Sequence, residues 1–164
     1  MKILTVNHLL DPITGGGTAE RVVRLTQAWT AGGHDCEVLT LDAGLTSERR
    51  AAMAPARVTA LRTLNRRFFV PVPAWTTIAD RVRAADLVHI MGHWTAVNLL
   101  AVFAARRSDR PFVVSPAGAL PLDGRSRFLK RLYNAIGGSR GMRDAAAWIA
   151  VSPIELAQYA AYGV

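Results

Sequence analysis

The sequence predicts an α/β fold: a doubly wound, mostly parallel sheet of about six to seven strands with helices on both faces. Two observations lead there. Short apolar runs alternate along the chain with longer segments whose apolar residues recur every three or four positions, giving a repeating strand–helix rhythm. The apolar runs are also continuous, as parallel strands buried on both faces require.

Each element has its own signal. "KILTVN" at 2–7 reads as the first strand. Residues 18–33 read as a helix, with Ala19, Val22, Val23 and Trp29 on one face and Arg21, Arg24 and Gln27 opposite. Thr18 is its expected cap, Glu20 suits the positive end of its dipole, and Gly32 and Gly33 stop it. "CEVLTLD" (36–42) is a second strand. "ARVTALR" (56–62) is a third, inside a weakly patterned, arginine-rich region at 43–73 that closes on "VPVP". Regular alternation resumes with a helix at 74–84, the strand "DLVHIM" (86–91) and a helix at 95–107. The strand "PFVVSP" (111–116) ends in a proline. Residues 125–138 read as an amphipathic helix whose apolar side carries Phe128, Leu129, Leu132, Tyr133 and Ile136. A sixth strand at 146–152 leads to a helix at 153–163, where Pro153 suits a first helical position.

Composition sets the outer limits. Hydrophobic residues make up 51% of the 164, enough for one well-packed domain and too many for wholesale disorder. The single cysteine, Cys36, excludes an internal disulfide framework and fits a reducing compartment. After Lys2 the apolar run Ile3–Val6 is too short for a signal peptide, and "WTAVNLLAVFAA" (94–105) falls short of a bilayer span. A cytoplasmic domain is therefore expected. The formal charge is +8, and much of it sits in two acid-free stretches, one holding Arg50, Arg57, Arg62, Arg66 and Arg67, the other Arg125, Arg127, Lys130, Arg131, Arg140 and Arg143. Such clusters suit phosphates in nucleic acid, lipid headgroups or nucleotide sugars, or simply keep a surface soluble.

In sheets of this kind ligands bind beyond the carboxyl ends of the strands, which selects the loops 8–17, 42–55, 91–94 and 115–124. The first holds Gly15-Gly16-Gly17 directly before a helix. It is not a dinucleotide fingerprint: the glycines stand too far from the strand end, and Glu20 occupies the place of the last glycine. It is not a phosphate loop either, since no Gly-Lys-Ser/Thr follows. Two readings stay open: a glycine loop whose bare N–H groups meet an anion beside a helix N-terminus, and a flexible turn without a ligand.

"GGGTAERVVRLTQAWTAGGHDCEVLTL" resembles the opening of the GT-B glycosyltransferases, in particular the large group of retaining enzymes with a glycine loop, an alanine–glutamate–arginine helix start and a "GH-x-x-x-V" lead into strand two. "ADLVHIMGHWTAVNLLAVFAARRSDRPFVVSPAGAL" resembles the same group's "H-x-H-G-x-W" strand end and its "V-V-S-P-x-G-x-L" segment, and "RFLKRLYNAI" and "AAWIAVSPIELAQYAAYGV" continue the likeness. The match runs in order from Met1 to Val164 and is weakest at 43–80. It implies a Rossmann-like fold and makes residues 1–164 one amino-terminal, acceptor-side domain. A second, nucleotide-sugar-binding domain with the acidic pair for the donor would follow; this chain lacks it, so alone it is expected to be catalytically silent.

The resemblance also assigns residues. Gly15, Gly16 and Gly17 would approach the donor diphosphate or the acceptor. His93, after the strand end, is the candidate catalytic group, and Trp94 offers an indole on which a sugar could stack. His89 lies within its strand and is expected to pack internally. Met91 stands where the family commonly has histidine, and Ala117 where it often has histidine or arginine, leaving Ala117 only its backbone; Ser115 and Gly118 are further candidate contacts. His89 and His93 lack a third ligand nearby, so no metal is expected, and no cofactor beyond the nucleotide sugar as co-substrate. Arg125, Arg127, Lys130 and Arg131 are candidate contacts to an anionic membrane or a lipid-linked acceptor, the alternative being an ordinary amphipathic helix covering the sheet.

The function expected is transfer of a hexose, with retention, from a nucleotide sugar to a saccharide or lipid-linked acceptor, in cell-surface polysaccharide or glycolipid synthesis, on or near the inner face of the plasma membrane. The alternatives are a basic phosphate- or nucleic-acid-binding module and a non-catalytic scaffold. Nucleic acid is disfavoured because aromatic residues are not interleaved with the basic ones and no helix-turn-helix or RNA-binding motif is present.

Overall fold

A computed structural model of the chain describes residues 1–65, 69–72, 74–121 and 126–164. Among these, eight strands follow in order: β1 Lys2–Val6, β2 Asp35–Leu41, β3 Arg57–Leu61, β4 Thr63–Asn65, β5 Val70–Pro71, β6 Leu87–Met91, β7 Phe112–Ser115 and β8 Ala147–Trp148. Six of them form one sheet in the order β3-β2-β1-β6-β7-β8, every neighbouring pair parallel. This is the doubly wound, Rossmann-like arrangement the alternation predicts. Winding proceeds outward from β1 in one direction and from β6 in the other, so the topological switch point lies between β1 and β6.

The helices are α1 Gly16–Ala31, α2 Ser47–Ala51, α3 Trp75–Arg83, α4 Ala96–Arg107, α5 Arg127–Tyr133, α6 Ser139–Asp144 and α7 Pro153–Ala160. Successive strand residues point to opposite faces, and the two apolar clusters follow that alternation. Val38 packs with Val22 and Val23 of α1, while Leu39 packs with Ile78 and Val82 of α3 and Val97 and Ala101 of α4. The sheet is thus apolar on both sides, which explains the continuous runs in the sequence.

Several boundaries differ from expectation. α1 begins at Gly16, and Thr18 does not cap it; Gly15 occupies the cap position with no side-chain hydrogen bond. The cause is the loop before it, which folds back so that Gly15 N–H donates to Asp11 O (2.9 Å) and Ala19 N–H to Gly15 O (3.2 Å). Trp29 is only half-buried, and Thr26 takes its place on the covered face. The weakly patterned region holds the short α2 and the antiparallel β4–β5 pair, neither legible in the sequence. β8 is two residues long where seven were expected, because this edge strand has β7 as its one neighbour in the sheet.

The predicted helix at 125–138 ends at Tyr133 and passes through a wide turn, Asn134–Gly138, into α6. Gly137 lies so close to Phe103 that an added Cβ would sit 2.7 Å from its ring, so the turn is seated tightly on α4. None of the α5 side chains is buried. The expectation that this helix covers the sheet is therefore corrected.

Close packing also constrains Gly15. A Cβ there would lie 2.6 Å from Asp11 O and 2.7 Å from the Ala19 methyl, whereas one on Gly17 would meet nothing within 4 Å. Gly15→Ala is expected to cost about 2 kcal/mol by overpacking, read from the urea midpoint. Gly17→Ala should leave the midpoint unchanged.

Candidate functional site

Three loops leave the carboxyl end of the sheet around the switch point. The first follows β1. Asn7 and His8 keep it tied to β2, through Asn7 N–H to Leu39 O (3.0 Å) and Leu41 N–H to His8 O (3.4 Å). Asp11 then folds the chain on itself: its carboxylate accepts from the Ile13 amide (3.0 Å), the Thr14 amide (3.3 Å) and the Thr14 hydroxyl. The hydroxyl, followed by the Ile13 amide, holds the Asp11 carboxyl below its ordinary pKa. Gly44, in the loop after β2, has φ +69° and packs so closely that a Cβ would lie 2.6 Å from that of Asp11.

Arg49 braces the same loop from α2. Its Nε donates to Leu10 O (3.2 Å) and its terminal nitrogen to Glu20 Oε2 (2.7 Å), with the side chain only 15% exposed. Glu20 also accepts from Arg24 (2.8 Å), and the two guanidiniums, Arg49 first, hold its carboxyl below the ordinary range. So Glu20 is not merely a favourable charge near the start of α1; it is the far anchor of a clamp. Between these supports Gly16, at φ +55°, and Gly17 face open space with no side-chain cap on the helix. Gly15 is there for the chain's own packing, and Gly16 and Gly17 leave the approach clear.

The second loop follows β6. Gly92 N–H donates to Ser115 O (2.8 Å), and Asn98, 1% exposed, donates from its side chain to Met91 O (2.9 Å). Met91 is fully buried in the cluster that contains Leu10, with Ala117 packed against it. Its side chain fills this space with apolar atoms and offers no titratable group. His89 is 2% exposed, edge-on to Trp29 at 5.3 Å, and neither ring nitrogen has a hydrogen-bond partner among the described residues. Burial, then the nearby Arg21 charge, lowers its pKa to about 4.

His93 is 6% exposed and sits at the centre of an aromatic group: Trp94 at 4.5 Å, Tyr133 at 5.0 Å and Tyr162 at 5.6 Å, all edge-on. Its Nε2 lies 3.5 Å from Asn134 Oδ1. Burial pulls its pKa down to about 4 despite that contact, so the ring is neutral at pH 7. The Trp94 indole N–H donates to Ala119 O, and the Lys130 ammonium stands 5.3 Å over the indole ring. The imidazole therefore lies beneath the surface, and Trp94 is the half-buried partner of the pair.

The third loop follows β7. Ser115 is fully buried and its hydroxyl donates to Ile149 O (3.3 Å), a strand-exit contact. Ala117 and Gly118 both take positive φ, +55° and +82°. Glu155 holds them: this carboxylate, 1% exposed, accepts from the Gly118 amide and from the Val151 amide (2.7 Å). Ser152-x-x-Glu155 has the spacing of a helix capping box, a signal that could have singled Glu155 out, although its carboxylate turns to Val151 and Gly118 instead of the cap residue. Arg49 had no such signal.

Leu10, Met91 and Ala117 share one cluster, so the three loops meet at one end of the sheet above the switch point. Gly16 and Gly17 begin α1 directly after the first of these loops, with clear space around them. The His93 ring turns instead toward α5 and Tyr162. Of the predicted basic contacts, Arg127, Lys130 and Arg131 lie on α5, and Arg125 falls outside the described residues. Among the described residues, no three of His, Cys, Asp and Glu gather closely enough to hold a metal ion, and no helix is long and apolar enough to cross a membrane.

Residues 16–164 match the family model of the glycosyl transferase 4-like domain. The chain belongs to that family. Solved structures agree with this glycosyltransferase-like domain in fold. HepE from Anabaena, in complex with UDP-glucose, superposes with a TM-score of 0.68 over 99% of this chain and 41% of its own, at 16% identity. MurG from Acinetobacter baumannii superposes at 0.62 over 93% and 42%, at 13% identity. A UDP-N-acetylglucosamine 2-epimerase superposes at 0.64 over 100% and 45%, at 12% identity. The domain thus spans less than half the length of these proteins. A comparison with curated proteins gives no match.

Proposed function

We propose that this glycosyltransferase-like domain is the acceptor-side, amino-terminal half of a two-domain enzyme that moves a hexose, with retention, from a nucleotide sugar to a saccharide or lipid-linked acceptor in cell-surface polysaccharide or glycolipid synthesis. The observation that carries the reading is the meeting of the three loops above the switch point, with Gly16 and Gly17 unobstructed beside them. Leaving-group departure in such a transfer builds negative charge on a phosphate. Backbone amides at the start of a sixteen-residue helix, on a loop braced by Asp11 and Arg49, are donors already aimed before the charge develops. The Ala117–Gly118 turn, held by Glu155, belongs to the loop after β7 and would supply further backbone contacts.

In this reading His93 organises Trp94 and Tyr133 from below; burial lowers the basicity of its ring, which makes it a poor proton acceptor and suits it to the acceptor wall rather than to general-base work. The nucleotide is held mainly by a second domain, no metal is required, and the domain works at the inner face of the plasma membrane.

The test is an amide-resolved NMR titration of the 164-residue chain with pyrophosphate, at fixed ionic strength. Gly16 and Gly17 amides should shift saturably, EDTA should change nothing, and Gly17→Ala should weaken binding about fivefold through loss of close approach while its urea midpoint stays put. Shifts confined to the arginine-rich surface, with Gly16 and Gly17 silent, would remove the assignment.

A further inference from the structure

An apolar groove of about 630 Å³ runs between α5 and the beginning of α4, a size typical of small-molecule sites. Phe69, Trp94, Leu99, Leu129, Leu132 and Tyr133 form its walls. One wall is rigid, since Trp94 is fixed by its bond to Ala119 O and by the rings of His93 and Tyr133. The other is α5 with the turn after it, where Phe128, Leu129 and Leu132 of the helix and Ile136 of the turn are 45–77% exposed. That outward face follows from the backbone: the turn after α5 is pinned on Phe103 by Gly137, and no α5 side chain is buried, Lys130 and Tyr133 being half-buried against Trp94.

Charge selects the occupant. Lys130 stands over Trp94 and donates to Pro121 O (2.7 Å) at the groove, Arg127 and Arg131 flank it on the same helix, and no acidic residue occurs from 125 to 143. A second copy of this +8 chain would bring cation against cation, so self-association through this face is opposed. A slender hydrocarbon with an anionic head satisfies both the apolar walls and the cationic rim. Trp94 follows β6 at the switch point, so a chain lying in the groove would leave its head beside the Ala117–Ala119 turn.

We propose that this groove seats the hydrocarbon chain of an anionic amphiphile, making the acceptor a lipid-linked phosphate ester rather than a free saccharide. The inference rests on the acceptor-side reading above. The probe is dodecyl phosphate, titrated into the 164-residue chain below its micelle concentration, with inorganic phosphate and dodecyl maltoside as separate arms. Dodecyl phosphate should bind saturably, one per chain, and each of the other two at least about tenfold more weakly. Leu132→Gln combined with Ile136→Gln alters side chains that are already exposed, so the urea midpoint should hold while affinity falls about tenfold. Lys130→Met should narrow the preference for dodecyl phosphate over the maltoside.

Co-sedimentation with vesicles separates a free amphiphile from a membrane source: binding to anionic over neutral vesicles, lost in the double variant, supports a membrane-held acceptor. No saturable binding, equal binding of inorganic phosphate, an unaffected double variant, or a dimer that dodecyl phosphate does not dissociate would overturn the proposal. If the Gly16 and Gly17 shifts with pyrophosphate persist in that event, the lipid inference falls and the acceptor-side reading stands.

Discussion

Acidification from pH 7 to pH 4 should destabilise this domain by several kcal/mol, well before its exposed carboxylates are fully protonated. His89 and His93 each have a folded pKa of about 4 against an ordinary 6.5, burial being the first cause in both. The unfolded chain therefore takes up a proton at each site near 6.5, while the native state resists until about 4. Stability from this source is complete above 6.5, is lost progressively as the pH falls, and is gone below 4. Each residue is worth about 3 kcal/mol at the bottom of the window, and two together rival a large share of a typical domain's stability. His8, also lowered by burial, adds in the same direction.

Urea unfolding at several pH values across that window measures the effect as a slope, one proton per histidine. His89→Phe and His93→Phe remove the titrating group and keep an aromatic in place. Each should flatten the slope by about one proton. His89→Phe should also be tolerated at pH 7, since the imidazole it replaces makes no hydrogen bond among the described residues. A slope unchanged in the double variant would show that other groups carry the acid sensitivity.

The same histidines mark where sequence reading stops. His89 was legible as an internal residue because an apolar strand runs on either side of it, and one strand position suffices to say that it points into the fold. His93 was not. Its burial depends on Tyr133 and Tyr162, which come from distant segments and meet it through the packing of α5 and α7. Gly15, Gly16 and Gly17 were legible as a place of close approach, because glycine reports on backbone alone. What distinguishes Gly15, crowded by Asp11 and Ala19, from the open Gly16 and Gly17 is a contact, and contacts are not written in the run. Arg49 illustrates the limit: in the sequence it is one arginine among many, in a region of weak pattern. In the fold it joins Leu10 to Glu20 and makes the glycine loop rigid.

Strands followed the same logic. β1, β2, β6 and β7 lie in the middle of the sheet, and burial on both faces gave each a continuous apolar run. The edge strand β8 was overextended because "AAWIAVS" is apolar beyond the two residues that pair with β7. Past Trp148 the chain serves another end, which is the placement of Glu155.

Glu155→Ala should lower stability by about 4 kcal/mol, since it leaves two amides without their charged acceptor in a site 1% exposed and opens a cavity there. Glu155→Gln should cost about half as much, because the amide keeps one acceptor oxygen but turns an NH2 toward the second donor. The local signature is separable from the global one. In the native protein the Gly118 and Val151 amides donate to a carboxylate, so both should move upfield in the NMR spectrum of the alanine variant while the glycine-loop amides stay in place. If the Ala117–Gly118 turn is part of the site, the variant should also bind pyrophosphate or dodecyl phosphate more weakly at temperatures where it remains folded. A loss of less than about 0.5 kcal/mol, with Gly118 unmoved, would mean that the turn's two positive-φ residues are held by their own backbone and that Glu155 is a bystander.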